Sequence, residues 1–466
     1  MVSRLTHCRT GIACALLLTT LLAQPSLALA GAVNAGESSS APMPRPGNLQ
    51  PLSLNDAFEI ARRVHPDLRV ASANLAVLRA DSTFARVPAF NPIVELQAGH
   101  GGQTPAAGSE FTLDIGVSQE LELWGKRAAR QAVATARSRT GGAEWSLRLQ
   151  EIESDIRARF ERALFLQDRL ATLDGLTELD RRVVTATQAR VRDGSMTPMA
   201  GRLTEMDLFR LEAQGRRARA DQRQALVALG LSIGQALPDS MQLSGTLEAD
   251  SLQVLEDSVV ALAMSVRGAG KVLRQQLIER QAELHLAKRE PRPNLTLGLG
   301  LTRERRAFSH DDFAGDPAIV GGIAGVQSTD NMWTARISAP LPLWQKNQTG
   351  RARAGAEIVR TQAEYDRYRL RSQLEVRAAV RRFEDATSLY RLYLDRSTRV
   401  RQDLALIREA YADGRISLDS YLTQKGRLVD TLLGQLEAAD AYWDARGELE
   451  SAVGLGLAHI NGGDSR

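Results

Sequence analysis

Histidine, cysteine and carboxylate side chains hold metals and carry acid–base or nucleophilic chemistry, and in this chain they are scattered. Five histidines follow residue 30, His65, His100, His285, His310 and His459, and none stands at ligand spacing from another His or a Cys. Both cysteines, Cys8 and Cys14, lie within the first 30 residues. The densest group is SHDDFAGD, where His310, Asp311, Asp312 and Asp316 could hold a cation loosely. A run so rich in Asp, Gly and Ser reads better as a solvated loop. No nucleophile elbow, P-loop or dinucleotide fingerprint occurs. The residues therefore predict no enzyme, no cofactor and no metal site.

The start of the chain sets its compartment. Arg4, His7 and Arg9 precede an apolar run from Gly11 to Ala23, and Ala28-Leu29-Ala30 follows. This is the pattern of a secretory signal over 1–30 with an A-x-A cleavage site, its apolar run too short to anchor. Cleavage removes both cysteines, so the exported chain has neither disulfides nor thiolate chemistry. It also removes Arg4 and Arg9, which brings the formal net charge from +4 to +2. The basic residues are spread along helical patterns and rarely adjoin aromatics, which argues against nucleic acid as a partner. No later apolar run reaches 18 residues, so no transmembrane helix is expected, although membrane strands leave a weaker signal.

Such strands are the next feature. Residues 31–51, rich in Ser, Pro and Gly, read as a flexible leader. Two helical runs follow, from Leu52 to a turn at His65-Pro66 and over about 69–87. Four alternating segments then occur in two separated pairs: 93–100 with 111–121, and 294–302 with 332–341. Leu295, Leu297, Leu299 and Leu301 face one way, and Thr296, Gly298, Gly300 and Thr302 the other. A half-buried soluble sheet alternates in the same manner. Four strands in an exported chain, with the small polar residues all on one side, favour a membrane barrel with a wet interior.

Each pair leads into a long helical pattern. No proline lies between Pro105 and Pro198, and none follows Pro342. Leu149, Ile152, Ile156, Phe160, Ala163, Leu166, Leu170 and Leu173 recur at steps of three and four, as in a coiled coil. Leu389, Tyr393, Arg396, Val400, Leu404, Ile407 and Tyr411 do so later, with Arg396 a polar interruption. The runs Gly125–Arg192 and Gln345–Ala412 are 68 residues each, about 100 Å as helix. They end at VRDGSMT around Gly194 and YADGRIS around Gly414, and returning helices follow over roughly 199–230 and 418–453. Trp124 and Trp344, like the two turn glycines, are 220 residues apart. The chain is a tandem duplication: 52–240, a linker 241–256, 257–456 and a tail 457–466.

Four membrane strands cannot close a barrel, and lipid tolerates no unpaired edge, so copies must pool their strands. Two copies give eight strands and a filled interior, whereas three give twelve and leave a lumen. Helices of about 100 Å cannot lie within a bilayer of about 30 Å and must project from it. The expected fold is mainly α with membrane β: long helical hairpins forming a periplasmic tunnel, below a trimeric 12-stranded outer-membrane barrel.

In these features the chain resembles the outer-membrane factor (TolC-like) efflux family over essentially its whole exported length. LSLNDAFEIARRVHPDLR and the turns at Gly194 and Gly414 carry the resemblance. SQELELWGKRAAR is similar to the E-x-G-G-K-R-x-x-R stretch of the cobalt–zinc–cadmium (CzcC-like) branch, with Trp124 where a glycine is common. The resemblance implies a homotrimer among outer-membrane lipids, docked onto a periplasmic membrane-fusion adaptor and an inner-membrane pump of the resistance–nodulation–division (RND) type. Adaptor docking at the periplasmic tip then falls to Arg192, Asp193, Gly194 and Ser195, with Asp413, Gly414, Arg415 and Ser417. Relatives narrow this end with aspartates six and nine residues after the second turn glycine. Here those positions hold Ser420 and Thr423, with Asp419 the nearest acid, and these three are the aperture candidates.

The expected function is a passive export duct for divalent heavy-metal cations. Export of drugs and other small molecules is the alternative. A trimeric coiled-coil surface protein fits less well, because the strands lie within each repeat rather than at one terminus.

Overall fold

The computed structural model describes residues 51–101, 110–245, 255–307 and 327–461. The loop with His310, Asp311, Asp312 and Asp316, the signal 1–30 and the leader through residue 50 lie outside the described residues.

Each half is built from two short helices, two strands and a long helical hairpin. In the first half α1 (Leu54–Val64) and α2 (Pro66–Phe84) lead to β1 (Ile93–Gly101) and β2 (Glu110–Leu121). The hairpin α3 (Lys126–Arg192) and α4 (Pro198–Ile233) follows. The second half repeats the order with α5 (Glu256–Val266), α6 (Gly268–Arg289), β3 (Leu295–Ala307), β4 (Gln327–Ser338), α7 (Gln348–Ala412) and α8 (Leu418–Val453). A short α9 (Leu457–Asn461) ends the described chain.

Local chemistry sets these boundaries. Ser53 and Asp56 form a reciprocal capping box at α1. Pro66, which has no N–H to leave unmet, occupies the first turn of α2. Gly234 and Gly454 close the two hairpins with φ of 85° and 83°. A Cβ on Gly234 would meet His65 and Pro66, and one on Gly454 would meet Gln150 and Arg267. Each return helix therefore ends against the short turn that opens its own half.

The four strands form one antiparallel sheet in the order β1-β2-β3-β4. β3 and β4 run further into 303–331 than their apolar alternation suggested, pairing Arg303 with Asn331 and Ala307 with Gln327. At the other end β4 stops at Ser338 rather than 341. Pro340 has no N–H for a ladder and restricts the residue before it to extended backbone outside the pairing.

Two further expectations are corrected. α7 begins at Gln348, not Gln345, because Asn347 takes the left-handed conformation at φ 53° and turns the chain there. The packed seam of α7 is also shifted by one residue near its middle. Leu389 and Arg396 are exposed, while Tyr390 packs on Tyr442 at 5.2 Å and Ser397 is buried. The Ser397 hydroxyl donates to the Leu394 carbonyl, which lets a small polar group sit where a guanidinium could not.

Between the hairpins the core is apolar and aromatic. Tyr442 lies 5.5 Å from Phe383 and 5.1 Å from Trp443, beside the wholly buried Val376, Val380 and Leu449. Nearer the turns, Leu176 and Leu211 of the first hairpin pack with Val400, Val429 and Leu432 of the second. Both hairpins therefore approach their turns as one packed group of four helices. No described helix is long and apolar enough to cross a membrane.

Candidate functional site at the hairpin tips

Both tips are the same backbone device. Gly194 and Gly414 each have φ of 74°. At the first tip Gly194 N–H donates to Val191 O (3.1 Å) and Ser195 N–H to Arg190 O (2.9 Å). At the second, Gly414 N–H donates to Tyr411 O (3.1 Å) and Arg415 N–H to Ala410 O (2.8 Å). This is the Schellman pairing, which satisfies two carbonyls of the helix end and requires a left-handed residue. A Cβ at either glycine would point into open space, so the requirement is one of backbone conformation alone.

The candidate docking residues surround these turns. Arg192, Asp193, Gly194, Ser195, Asp413, Gly414, Arg415 and Ser417 are all exposed. Three also have local work. Ser195 Oγ donates to Arg190 O at 2.9 Å, Arg415 pairs with Asp413 at 3.0 Å, and Ser417 caps α8 by accepting Ser420 N–H at 3.3 Å. The aperture candidates are less uniform. Asp419 and Thr423 are exposed, whereas Ser420 is half-buried and its hydroxyl accepts a hydrogen bond from Gln424 (2.9 Å). Asp419 also sits in the first turn of α8, where a carboxylate favours the helix dipole.

Sequence reasoning missed what joins the two tips. Arg190 of α3 donates to the carbonyls of Ala412 (2.6 Å) and Tyr411 (3.4 Å), so its charge meets the carbonyl end of α7. Its guanidinium lies 5.4 Å from the centre of the Tyr411 ring. Tyr411 stacks on Tyr421 at 4.8 Å, and its hydroxyl lies 2.9 Å from that of Thr187. Val183, Ile407, Ile416 and Leu418 close around the pair.

One turn deeper lies a buried ionic wedge. Lys425 of α8 lies 2.5 Å from Asp180 of α3 and also contacts Asp207 of α4. The Lys425 and Asp180 side chains are each 6% exposed, and Asp207 is 31% exposed. Burial pushes Asp180 above the ordinary carboxylate range, against the pull of Lys425. Burial, with Asp180 and Asp207 nearby, raises Tyr421 as well. A sequence signal for the wedge existed: Lys425 falls at seam spacing between Tyr421 and Val429, and Asp180 between Leu176 and Val183–Val184.

The histidines stay apart. His65 Nδ1 accepts Asp67 N–H at 3.2 Å and caps α2, while His100, His285 and His459 are exposed. Among the described residues no three His, Cys, Asp or Glu side chains gather as a metal site. The branch-like stretch builds the corner between β2 and α3. Trp124 and Gly125 are both left-handed, and Arg289 donates to their carbonyls at 3.3 and 3.1 Å. Arg130 grips Glu122 and donates to Val87 O (3.2 Å), and Arg127 donates to Arg86 O.

Against known proteins, a family model described as "Outer membrane efflux protein" matches residues 58–235 and 271–455. The outer-membrane channel OprN is similar in structure at 17% identity, with a TM-score of 0.65 over 86% of this chain and 90% of that one. CusC, described for its transmembrane channel formation, gives 15%, 0.65, 86% and 92%. The outer membrane protein VceC of Vibrio cholerae gives 16%, 0.64, 87% and 96%. At such identities the likeness is one of fold. No curated protein matches the chain by sequence.

Proposed function

Because the chain belongs to the outer membrane efflux protein family, we propose that it is the outer-membrane duct of a tripartite efflux system. The observation that carries this is the sheet. Its order leaves β1 and β4 as open edges, and one face carries exposed Val94, Leu96, Leu299, Trp333 and Ile337. An apolar face with two open edges is stable in lipid only if edges of neighbouring copies pair, β4 of one on β1 of the next, until the ring closes. Three copies give twelve strands and a lumen, and the other face of the sheet, with Thr296, Gly298, Gly300, Thr302 and Thr334, supplies its small polar lining. The hairpins then extend about 100 Å into the periplasm as a tunnel.

In this reading the exposed tips around Gly194 and Gly414 dock a periplasmic adaptor, which couples the duct to an inner-membrane RND-type pump. Asp419, Ser420 and Thr423 border the periplasmic aperture. For cargo we propose divalent heavy-metal cations, on the similarity of Gly125-Lys126-Arg127 and Arg130 to the CzcC-like branch. A duct needs no tight metal site, since tight binding would slow passage. Drug and small-molecule export is the second reading, favoured by the structural employment of those same residues at the β2–α3 corner.

The test is a deletion strain, rescued by the gene on a plasmid. Sensitivity to zinc, cadmium or cobalt, with smaller changes toward dyes and antibiotics, is expected. The opposite profile would move the cargo to drugs. No change toward any exported toxicant, in a strain shown to express the protein, would overturn the duct.

A further inference from the structure

The outward face of the sheet carries a basic pair that the duct does not use. Cross-strand register sets its height. Leu295 stands opposite Leu121, Leu297 opposite Gln119, Leu299 opposite Val117 and Leu301 opposite Ile115. The next two outward positions on β3 are Arg303 and Arg305, beside Leu113 and Phe111 of β2 and beside Asn331 and Thr329 of β4. So β2 stays apolar for two levels beyond the point where β3 turns basic.

Each two-residue level rises about 6.6 Å along a strand, or about 5 Å along the normal at barrel tilt. Arg303 and Arg305 therefore stand roughly 20 and 25 Å above Leu295, at the upper edge of an apolar band about 25 Å tall. Every helix joins the sheet at its other end, so this edge faces away from the tunnel. Both arginines are exposed, and Trp333, 78% exposed, lies one level below.

The charges sort by face. The neighbouring inward residues are ion-paired, Arg306 with Glu110 (3.4 Å) and Glu304 (3.0 Å). At the two outward levels the described residues are Ala98, His100, Phe111, Leu113, Arg303, Arg305, Thr329 and Asn331, with no carboxylate. Two guanidiniums at phosphate depth, flanked by apolar side chains at acyl depth, suit one class of partner. Guanidinium forks bind phosphate in bidentate geometry, and Phe111 and Leu113 can lie along the chains beneath it.

We propose that Arg303 and Arg305 form a binding site for the phosphate groups of a phosphorylated glycolipid in the outer leaflet, one site per chain around the barrel. This rests on the sheet lying in the outer membrane with its apolar face to lipid. At about 1 kcal/mol per basic residue near an anionic surface, the pair is worth roughly thirtyfold in affinity.

Native mass spectrometry of the purified full-length assembly, titrated with a phosphorylated lipid A-type glycolipid, its dephosphorylated form or phosphatidylcholine, tests the site. The phosphorylated lipid should be retained and the other two should not. The double substitution Arg303→Gln/Arg305→Gln should weaken retention about thirtyfold. Arg306→Gln, one residue away on the other face, should leave it unchanged. Equal retention by the double variant, or of the dephosphorylated lipid, overturns the proposal. So does full competition by inorganic phosphate, which would make the ligand the free ion. Conductance in a planar bilayer separates the two readings. A wild-type protein that inserts and conducts but binds lipid without regard to these arginines loses only this site, whereas one that never inserts loses the duct.

Discussion

The hydroxyls of Thr187 and Tyr411 lie 2.9 Å apart, although 224 residues separate them in the chain. With Arg190 on the carbonyls of Tyr411 and Ala412, they tie the last turn of one long helix to that of the other. The two tips are thus one unit, and any widening of the aperture must break or carry this contact.

Tyr411→Phe keeps the stack on Tyr421 but leaves the wholly buried Thr187 without its partner. It should cost about 1–3 kcal/mol in thermal unfolding followed by circular dichroism. The double variant Thr187→Val/Tyr411→Phe, with both polar groups removed, should return near wild type. A double variant as unstable as the sum of the singles would show that this contact couples nothing.

Lys425→Met should be more damaging, because it leaves Asp180 buried and facing Asp207 without a counter-charge. A loss of about 3–5 kcal/mol is expected. Adding Asp180→Asn should recover more than half of it, since the remaining carboxylate, Asp207, reaches solvent. No recovery would mean that Lys425 acts by packing and not by charge.

The same wedge predicts a pH dependence whose sign follows from Asp180. Its folded-state pKa is raised by burial, so the folded chain holds this proton more tightly than the unfolded chain. Its contribution to stability therefore grows as pH falls through the raised folded value and levels off below the unfolded value, near 3.9. Unfolding measured from pH 7 downward should show wild type gaining on Asp180→Asn across that window. A wild type that loses ground instead would mean that the pairing with Lys425 outweighs burial.

Much of this was readable in the sequence and some was not. The alternation of Leu295 to Leu301 with Thr296 to Thr302 marks a two-faced strand wherever it lies, because the period of two is local. The glycines at 194 and 414 are readable for the same reason. The seam of α7 was misread at Leu389 and Arg396 because apolar residues crowd there, and spacing cannot choose between Leu389 and Tyr390 without the partner Tyr442. The charged wedge was passed over because Lys425 looks like an ordinary solvated lysine until Asp180 and Asp207 are brought to it from another hairpin. The joining of the tips through Arg190 depends on the same long-range packing.

Gly414→Val places a β-branched residue at a φ of 74°. The strain is about 1–2 kcal/mol or more, concentrated at the tip because the Cβ itself meets nothing. The variant should reach the outer membrane and assemble, yet fail to restore export in the deletion strain. Gly414→Asn, which tolerates the left-handed conformation, should restore it at least in part. Full export by Gly414→Val would remove the tip from the docking surface.

The most direct measurement is the native mass of the protein extracted from outer membranes in detergent. Four strands per chain with open edges at β1 and β4, and the need for a lumen, predict three copies as the stable species. A stable monomer or dimer would contradict the shared twelve-stranded barrel.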